Sequence, residues 1–421
     1  MAHRTQGIRL SRRTVLAAAA PAVLAGCGRA RDPRALSLWA MSYEGDYSPT
    51  LMPAFTARTG IPVEVQSVPY TSAHEKLLTA HAGDALPDVL MLPNGWVAEF
   101  AMIGALAAVP DPRLTADMFP GILDTVRAEG AYRAVPWSVA PPAQFYRRDL
   151  MALAGYEAPP LRWREWREAG MRLKRLRPDS FYVLFFLNWP EPLLGLAAQT
   201  GARGLRDHDT RGAFSTPEFR EALGFYASLF TEGLAPLALA TEIQDPVGAF
   251  AQGLFAVYPS AASLLLDLKR RIADIPPERW GIVIAAGPHG PGPALAANAS
   301  LAVSATCRRP AEAWSLVEHM TSAASELRFQ QLIGNLPARR SAWDGPQMRV
   351  PLLKPFAEQM ELPAFPPQII EWERIKAEMV IVSERIVRGL MSVDEGVAEM
   401  DRRADRLLAK RRALLDAGKI A

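Results

Sequence analysis

The sequence predicts an α/β protein in two lobes, and three observations carry that reading. The chain has 421 residues, more than one ordinary hydrophobic core organises. From residue 35 onward, runs with strand periodicity alternate with runs of helical periodicity. Near the middle, Pro141-Pro142 separates two extended runs, where proline blocks helix and limits sheet pairing. A composition 49% hydrophobic and 22% charged excludes disordered and collagen-like chains.

The first 26 residues have the three parts of a leader. Ser11-Arg12-Arg13-Thr14 opens it, a short Ala-rich apolar stretch interrupted by Pro21 follows, and Leu24-Ala25-Gly26-Cys27 closes it. The stretch is too short to span a bilayer. The arginine pair resembles a twin-arginine export signal, and the closing residues resemble a lipobox, in which cleavage precedes a cysteine that becomes a lipid thioether. Residues 1–26 are therefore read as a twin-arginine lipoprotein signal peptide and 27–34 as a lipidated tether, lipid-modified at Cys27. Lys and Arg number 47 against 44 Asp and Glu, a net +3, but four of the arginines lie in the acid-free leader. The remainder is nearly neutral, so no basic field for nucleic acid exists.

Beyond the tether the elements follow in order. Leu36 to Met41 reads as a buried strand, Pro49 to Arg58 as a helix stopped at Thr59-Gly60, and Val63 to Val68 as an alternating second strand. Ser72 to Ala82 reads as a helix, Asp88 to Leu92 as a third strand, and Trp96 to Ile103 as a helix ended by Gly104. This order argues for an open, mostly parallel sheet, whose ligands gather beyond the strands' carboxyl ends. The loops after Met41 and Leu92 are thus the places to seek a ligand. Past the prolines come an amphipathic helix over Trp163 to Lys174, a strand near Tyr182 to Leu187, and helices from Glu191 and Pro217. A Pro-Gly strip at 287–293, a strand over Leu301 to Ser304 and a largely helical stretch from Pro367 complete the chain.

Two cysteines occur, Cys27 and Cys307. With Cys27 acylated no disulfide can form, and Cys307 reads as a small, partly buried residue rather than a reactive thiol. His74 and His81 lie two helical turns apart, a poor metal pair. The chain lacks G-x-S-x-G, a Walker A loop and a strand-borne G-x-G-x-x-G, and His74-Glu75-Lys76-Leu77-Leu78 lacks a zincin's second histidine. No catalytic constellation, metal site or cofactor is expected.

Several stretches resemble the family 1 extracellular solute-binding proteins, the maltose-binding-protein-like receptors of ABC importers. They include His74-Glu75-Lys76-Leu77-Leu78 with Pro87-Asp88-Val89, and Gly95-Trp96-Val97-Ala98-Glu99-Phe100. Val135-Pro136-Trp137, Phe145-Tyr146-Arg147-Arg148-Asp149-Leu150, Trp163-Arg164-Glu165-Trp166 and Ala249-Phe250-Ala251-Gln252-Gly253 continue the series. Arg309-Pro310-Ala311-Glu312-Ala313-Trp314 and Leu336-Pro337-Ala338-Arg339-Arg340-Ser341 end it. Order and spacing together make the resemblance specific. It implies a two-lobed periplasmic-binding-protein fold with an interlobe ligand cleft and a hinge. Lobe one would comprise 35–138 plus 294–338, and lobe two 139–293 plus 339–421. It also implies a lipid-anchored, extracytoplasmic monomer that hands a solute, expected to be a disaccharide or oligosaccharide, to two permease subunits and a cytoplasmic ATPase.

Sugars need flat apolar faces and planar polar groups. Of the ten tryptophans, Trp96, Trp137, Trp189 and Trp372 are placed in or beside loops and are ligand candidates, while Trp163, Trp166 and Trp314 read as core. Matching to the family adds Tyr43, Glu44, Asn94, Glu191, Tyr258, Ser260, Asn298 and Arg340. Trp96 and Trp372 are expected to stack, with Glu44, Asn94 and Arg340 on hydroxyls. The family's tryptophan after Tyr258-Pro259-Ser260 is missing, and Ala140 stands where a polar side chain is frequent. Two alternatives remain. The same fold could take a glycerol phosphodiester, a polyamine or iron; or Glu44 and Glu191 could act as a glycoside hydrolase pair, which needs carboxyls about 5–9 Å apart.

Overall fold

The computed structural model describes residues 32–418; the twin-arginine stretch, Cys27 and the first tether residues lie outside them. From Leu36 the chain folds around two sheets. The first contains β1 (Leu36–Met41), β2 (Val63–Val68), β3 (Val89–Pro93), β4 (Val135–Ala140), β9 (Ala297–Val303) and β10 (Leu336–Pro337). The second contains β5 (Ala143–Arg147), β6 (Phe181–Val183), β7 (Phe255–Ser260) and β8 (Trp280–Val283). The order in the first is β10-β4-β9-β3-β1-β2, and in the second β8-β5-β7-β6.

The three N-terminal strands are parallel, with Leu36 opposite Val63 and Leu38 opposite Val89. The expectation of a mostly parallel sheet holds only for them. Strand β9 runs antiparallel to both β3 and β4, and β10 antiparallel to β4. Such pairings arise because the chain leaves for the second sheet and re-enters beside β3 from the opposite end. β1 and β3 are buried on both faces, and β2 at the edge alternates, as burial and edge position dictate.

The passage between sheets falls at the proline pair. β4 ends at Ala140 in the first sheet and β5 begins at Ala143 in the second. Along β5 the side chains alternate: Phe145 joins the apolar cluster that contains the first sheet, while Tyr146 joins the second cluster. Arg147, fully buried, ends the strand. Its guanidinium donates to the carbonyls of Phe250 and Ala251 at 2.6 and 2.7 Å and to Asp149 at 2.9 and 2.7 Å. Burial opposes ionisation of Asp149, but hydrogen bonds from Arg147 and Arg279 outweigh it and hold the carboxyl down at about 2.

Eight of the helices bear on the site: α1 (Ser42–Tyr47), α2 (Tyr70–Ala82), α3 (Asn94–Met102), α4 (Trp163–Leu176), α5 (Glu191–Gln199), α6 (Ala323–Ile333), α7 (Lys354–Met360) and α8 (Trp372–Val387). In α4, Trp163, Trp166, Ala169 and Leu173 share the buried face, and Trp163 stacks on Phe225 with centroids 4.4 Å apart. Trp314 is buried likewise. Cys307 donates to Asp88 Oδ1 at 3.3 Å, and burial pushes its thiol up to about 11, which leaves it protonated and inert at neutral pH.

The Pro-Gly strip is tied down as a tight loop. A Cβ on Gly287 would stand 2.9 Å from the Gly290 carbonyl and 3.1 Å from Gly292 Cα, so only glycine permits the closure. Gln359 on α7, fully buried, spans the strip: its Oε1 accepts from the Ala285 amide at 2.8 Å and its Nε2 donates to the Gly292 carbonyl at 3.1 Å. Gln359→Ala strands both backbone groups. It is expected to lower unfolding free energy by about 1–3 kcal/mol, measured as a shift of the urea midpoint at unchanged slope.

Candidate functional site

Because β1, β2 and β3 are parallel, their carboxyl ends share one edge of the first sheet, and each feeds directly into a helix. Met41 leads into α1 through Ser42, whose φ of 48° is left-handed. Val68 leads through Pro69 to α2, and Pro93 to α3. Tyr43 and Glu44, Tyr70, and Asn94 to Trp96 are thereby delivered to one edge, as expected for ligand sites in open α/β sheets. Gly45 makes the first turn possible, since a Cβ there would lie 2.6 Å from the Ala40 carbonyl and 2.7 Å from Ser67 Oγ.

On this edge Tyr70 stacks on Trp96, with centroids 5.8 Å apart and planes 29° from parallel. One turn along α2, His74 meets Trp96 edge-on at 4.8 Å, and its Nε2 lies 2.7 Å from Glu99 Oε2. The indole is thus clamped, while Tyr70 exposes 55% of its surface. Glu44 is half-buried and accepts from Asn335 Nδ2 at 2.6 Å. Burial raises its carboxyl above the ordinary range, against hydrogen bonds from its own backbone and from Asn335.

The opposite wall comes from elsewhere in the chain. Glu191 opens α5 and Glu373 sits in the first turn of α8, where a helix N-terminus favours a carboxylate. Glu373 Oε1 lies 3.9 Å from where a Cβ on Gly95 would stand, and it pairs with Lys376 at 2.9 Å. The Tyr70 phenol registers the convergence. Partial burial, then the charges of Glu373, Glu191 and Glu44, push it up to about 12. Beside Glu373, three buried polar atoms make no hydrogen bond to the described residues: Gln368 Oε1, Glu371 Oε2 and Trp372 Nε1. No three Asp, Glu, His or Cys among the described residues stand close enough to hold a metal ion.

The other expected site residues divide. Glu44, Trp96 and Glu191 meet around Tyr70, although Trp96 lies in the first turn of α3 rather than in a loop. Trp189, 45% exposed, precedes Glu191 and rests edge-on against Phe186 at 4.8 Å; Tyr43, 59% exposed, precedes Glu44. Tyr258 packs on Phe250 and Phe255, and burial, then Asp267, pushes its phenol up to about 12. Ser260 ends β7, and the chain continues to Ser263, whose Cα is 2.7 Å from the Cβ position of Gly334, next to Asn335. Asn298 begins β9 half-buried, with Oδ1 unpaired among the described residues.

Four expectations require correction. Asn94 has its amide consumed within the fold, donating to Thr125 Oγ1 at 2.6 Å and accepting from Ser300 Oγ at 2.7 Å. Trp137, 1% exposed, stacks on Phe329 at 4.6 Å inside the first-sheet core. Trp372, 3% exposed, belongs to the second core with its ring edge against Gly204, and presents no free face. Arg340 lies in a different pocket, with Phe119 and Trp343. Tyr70, Asn335 and Glu373 are not among the residues the sequence indicates. Only Tyr70 carried a usable signal, since it directly follows the second parallel strand.

A model of the bacterial extracellular solute-binding protein family matches residues 42–326. The chain belongs to this family. The sugar-binding protein MalE from Xanthomonas citri is 38% identical, with a TM-score of 0.84 over 91% of this chain and 99% of its own. The GacH receptor of Streptomyces glaucescens, solved unliganded and with acarbose, is 22% identical and shares the fold at a TM-score of 0.79 over 89% and 98%. A Deinococcus radiodurans protein named "Probable ABC transporter-binding protein" is 26% identical over 65% of this chain and 68% of its own. This solute-binding protein therefore has the two-lobed periplasmic-binding-protein fold. Among its described residues no helix is long and apolar enough to cross a membrane.

Alkaline titration of the phenols at 295 nm tests the convergence around Tyr70. The difference between wild type and Tyr70→Phe should titrate near 12, and Glu373→Gln should shift that difference to lower pH.

Proposed function

We propose that this solute-binding protein is a lipid-anchored, extracytoplasmic receptor that delivers a disaccharide or oligosaccharide to an ABC importer. The observation that carries the reading is the pairing of an exposed aromatic face with carboxylates from two walls: Tyr70 on Trp96, ringed by Glu44, Glu191 and Glu373. A stacked ring takes the C–H face of a sugar, and carboxylates accept from its hydroxyls. The likeness to a sugar-binding MalE at 38% identity supports the same class of ligand. The solute is bound and released unchanged, without cofactor, by a monomer whose partners are two permease subunits and their ATPase. Lobe one is 35–138 plus 294–338 and lobe two is 139–293 plus 339–421, and they close over the ligand.

The three carboxylates argue against an anionic phosphodiester, which they would repel, and favour a polyamine as the second reading. A thermal-shift screen over mono-, di- and trisaccharides, glycerol phosphodiesters and polyamines separates these, because a ligand of the folded state raises Tm by mass action. An oligosaccharide recovered intact should give the shift. For that sugar, calorimetry on Tyr70→Ala should show a loss of about 1.5–3 kcal/mol, the burial of one large side chain, or about one to two decades in Kd. Unchanged affinity in a folded variant would place the ligand elsewhere.

The leader supplies the anchor in this reading. Cys27→Ala should lose the lipid and appear in the soluble fraction on phase separation in detergent; retention with membranes would remove the lipobox from the proposal.

A further inference from the structure

A cavity of about 230 Å³ is lined by Phe119, Arg340, Trp343, Ala357, Met360 and Glu361. It shares no lining residue with the Tyr70 group. One wall is the turn that follows β10, with Phe119 beside it. Met118 bridges to Arg339, and the Arg340 amide donates to the Asp117 carbonyl at 2.8 Å. Arg339 is held by Glu326 and by the Thr321 carbonyl, so the turn carrying Arg340 and Trp343 is fixed against α6 and β10. The other wall is α7, whose Phe356 packs on Phe145 at 5.9 Å and whose Gln359 holds the Pro-Gly strip.

The lining has a definite chemistry. Phe119 and Trp343 meet edge to face, with centroids 6.0 Å apart at 87°. The Trp343 indole N–H is already spent on the Pro337 carbonyl at 3.0 Å, so what this residue offers a ligand is ring surface. Arg340 and Glu361 are exposed, and neither makes an ion pair with a described residue. The cavity therefore presents an aromatic floor, a donor fork and an acceptor.

We propose that this cavity is a second saccharide site that takes a single neutral sugar ring. Its volume falls below the roughly 300–1,000 Å³ of pockets for drug-sized ligands, which suits one ring. The C–H face lies on Trp343, Arg340 donates to ring hydroxyl oxygens and Glu361 accepts from hydroxyls. An anion would meet Glu361 and a cation Arg340. A zwitterion without a ring would rely on two exposed charges, whose pairing in water is weak, and would leave the aromatic floor unused.

The test observes Trp343 directly in the full chain with ¹⁵N-labelled tryptophan. Its indole signal, one of ten, is identified by its loss in Trp343→Phe or, if that variant does not fold, by its displacement in the surface variant Arg340→Ala. On addition of D-glucose the Trp343 signal should shift along a saturable curve. The shift should persist in Tyr70→Ala, and its midpoint should rise at least tenfold in Arg340→Ala. An unmoved signal, a response that disappears with Tyr70, or an equal response to glycine would each overturn the site.

Discussion

Three strands that run the same way must end on the same edge, and the placement of the candidate site follows from that constraint. β1, β2 and β3 share a direction, so the helices that follow them begin side by side. Each first turn supplies a different element: a carboxylate at Glu44, a phenol at Tyr70, an indole at Trp96. None of these residues is near another in sequence. The wall that faces them uses the same economy from helix starts, Glu191 on α5 and Glu373 on α8, where partial positive charge tolerates an acid.

The first two strands are plain in the sequence. Leu36–Met41 and Val63–Val68 run over the residues their apolar patterns indicate, and the proline pair stands at the passage between sheets. Helix starts were less legible, for a physical reason that bears on the site. α2 and α3 open at Tyr70 and Asn94, behind Pro69 and Pro93, with no side-chain cap. Apolar periodicity detects a helix only after its first turn, so both were expected to begin two residues later. Tyr70 fell in the interval and was overlooked.

Tryptophans misled in the opposite sense. Trp137 and Trp372 are flanked by proline or by loop-like residues, which suggests exposure, yet both fill cores. Local sequence describes the backbone's turn and not the direction in which a large ring finds apolar contacts. Asn94 shows the complementary limit, since its partners Thr125 and Ser300 are remote in sequence and appear only when β9 returns beside β3. Glu373 and Asn335 are recruited by similarly distant contacts.

The link between β4 and β5 carries one more implication. Pro141 and Pro142 have no amide hydrogen to donate, so the hydrogen-bond ladder of the first sheet cannot continue into the second along this strand. The covalent chain is continuous there, but the ladder that would transmit torsion is interrupted by composition. Exchanging either proline for a residue with an amide would give the junction a donor that it now lacks.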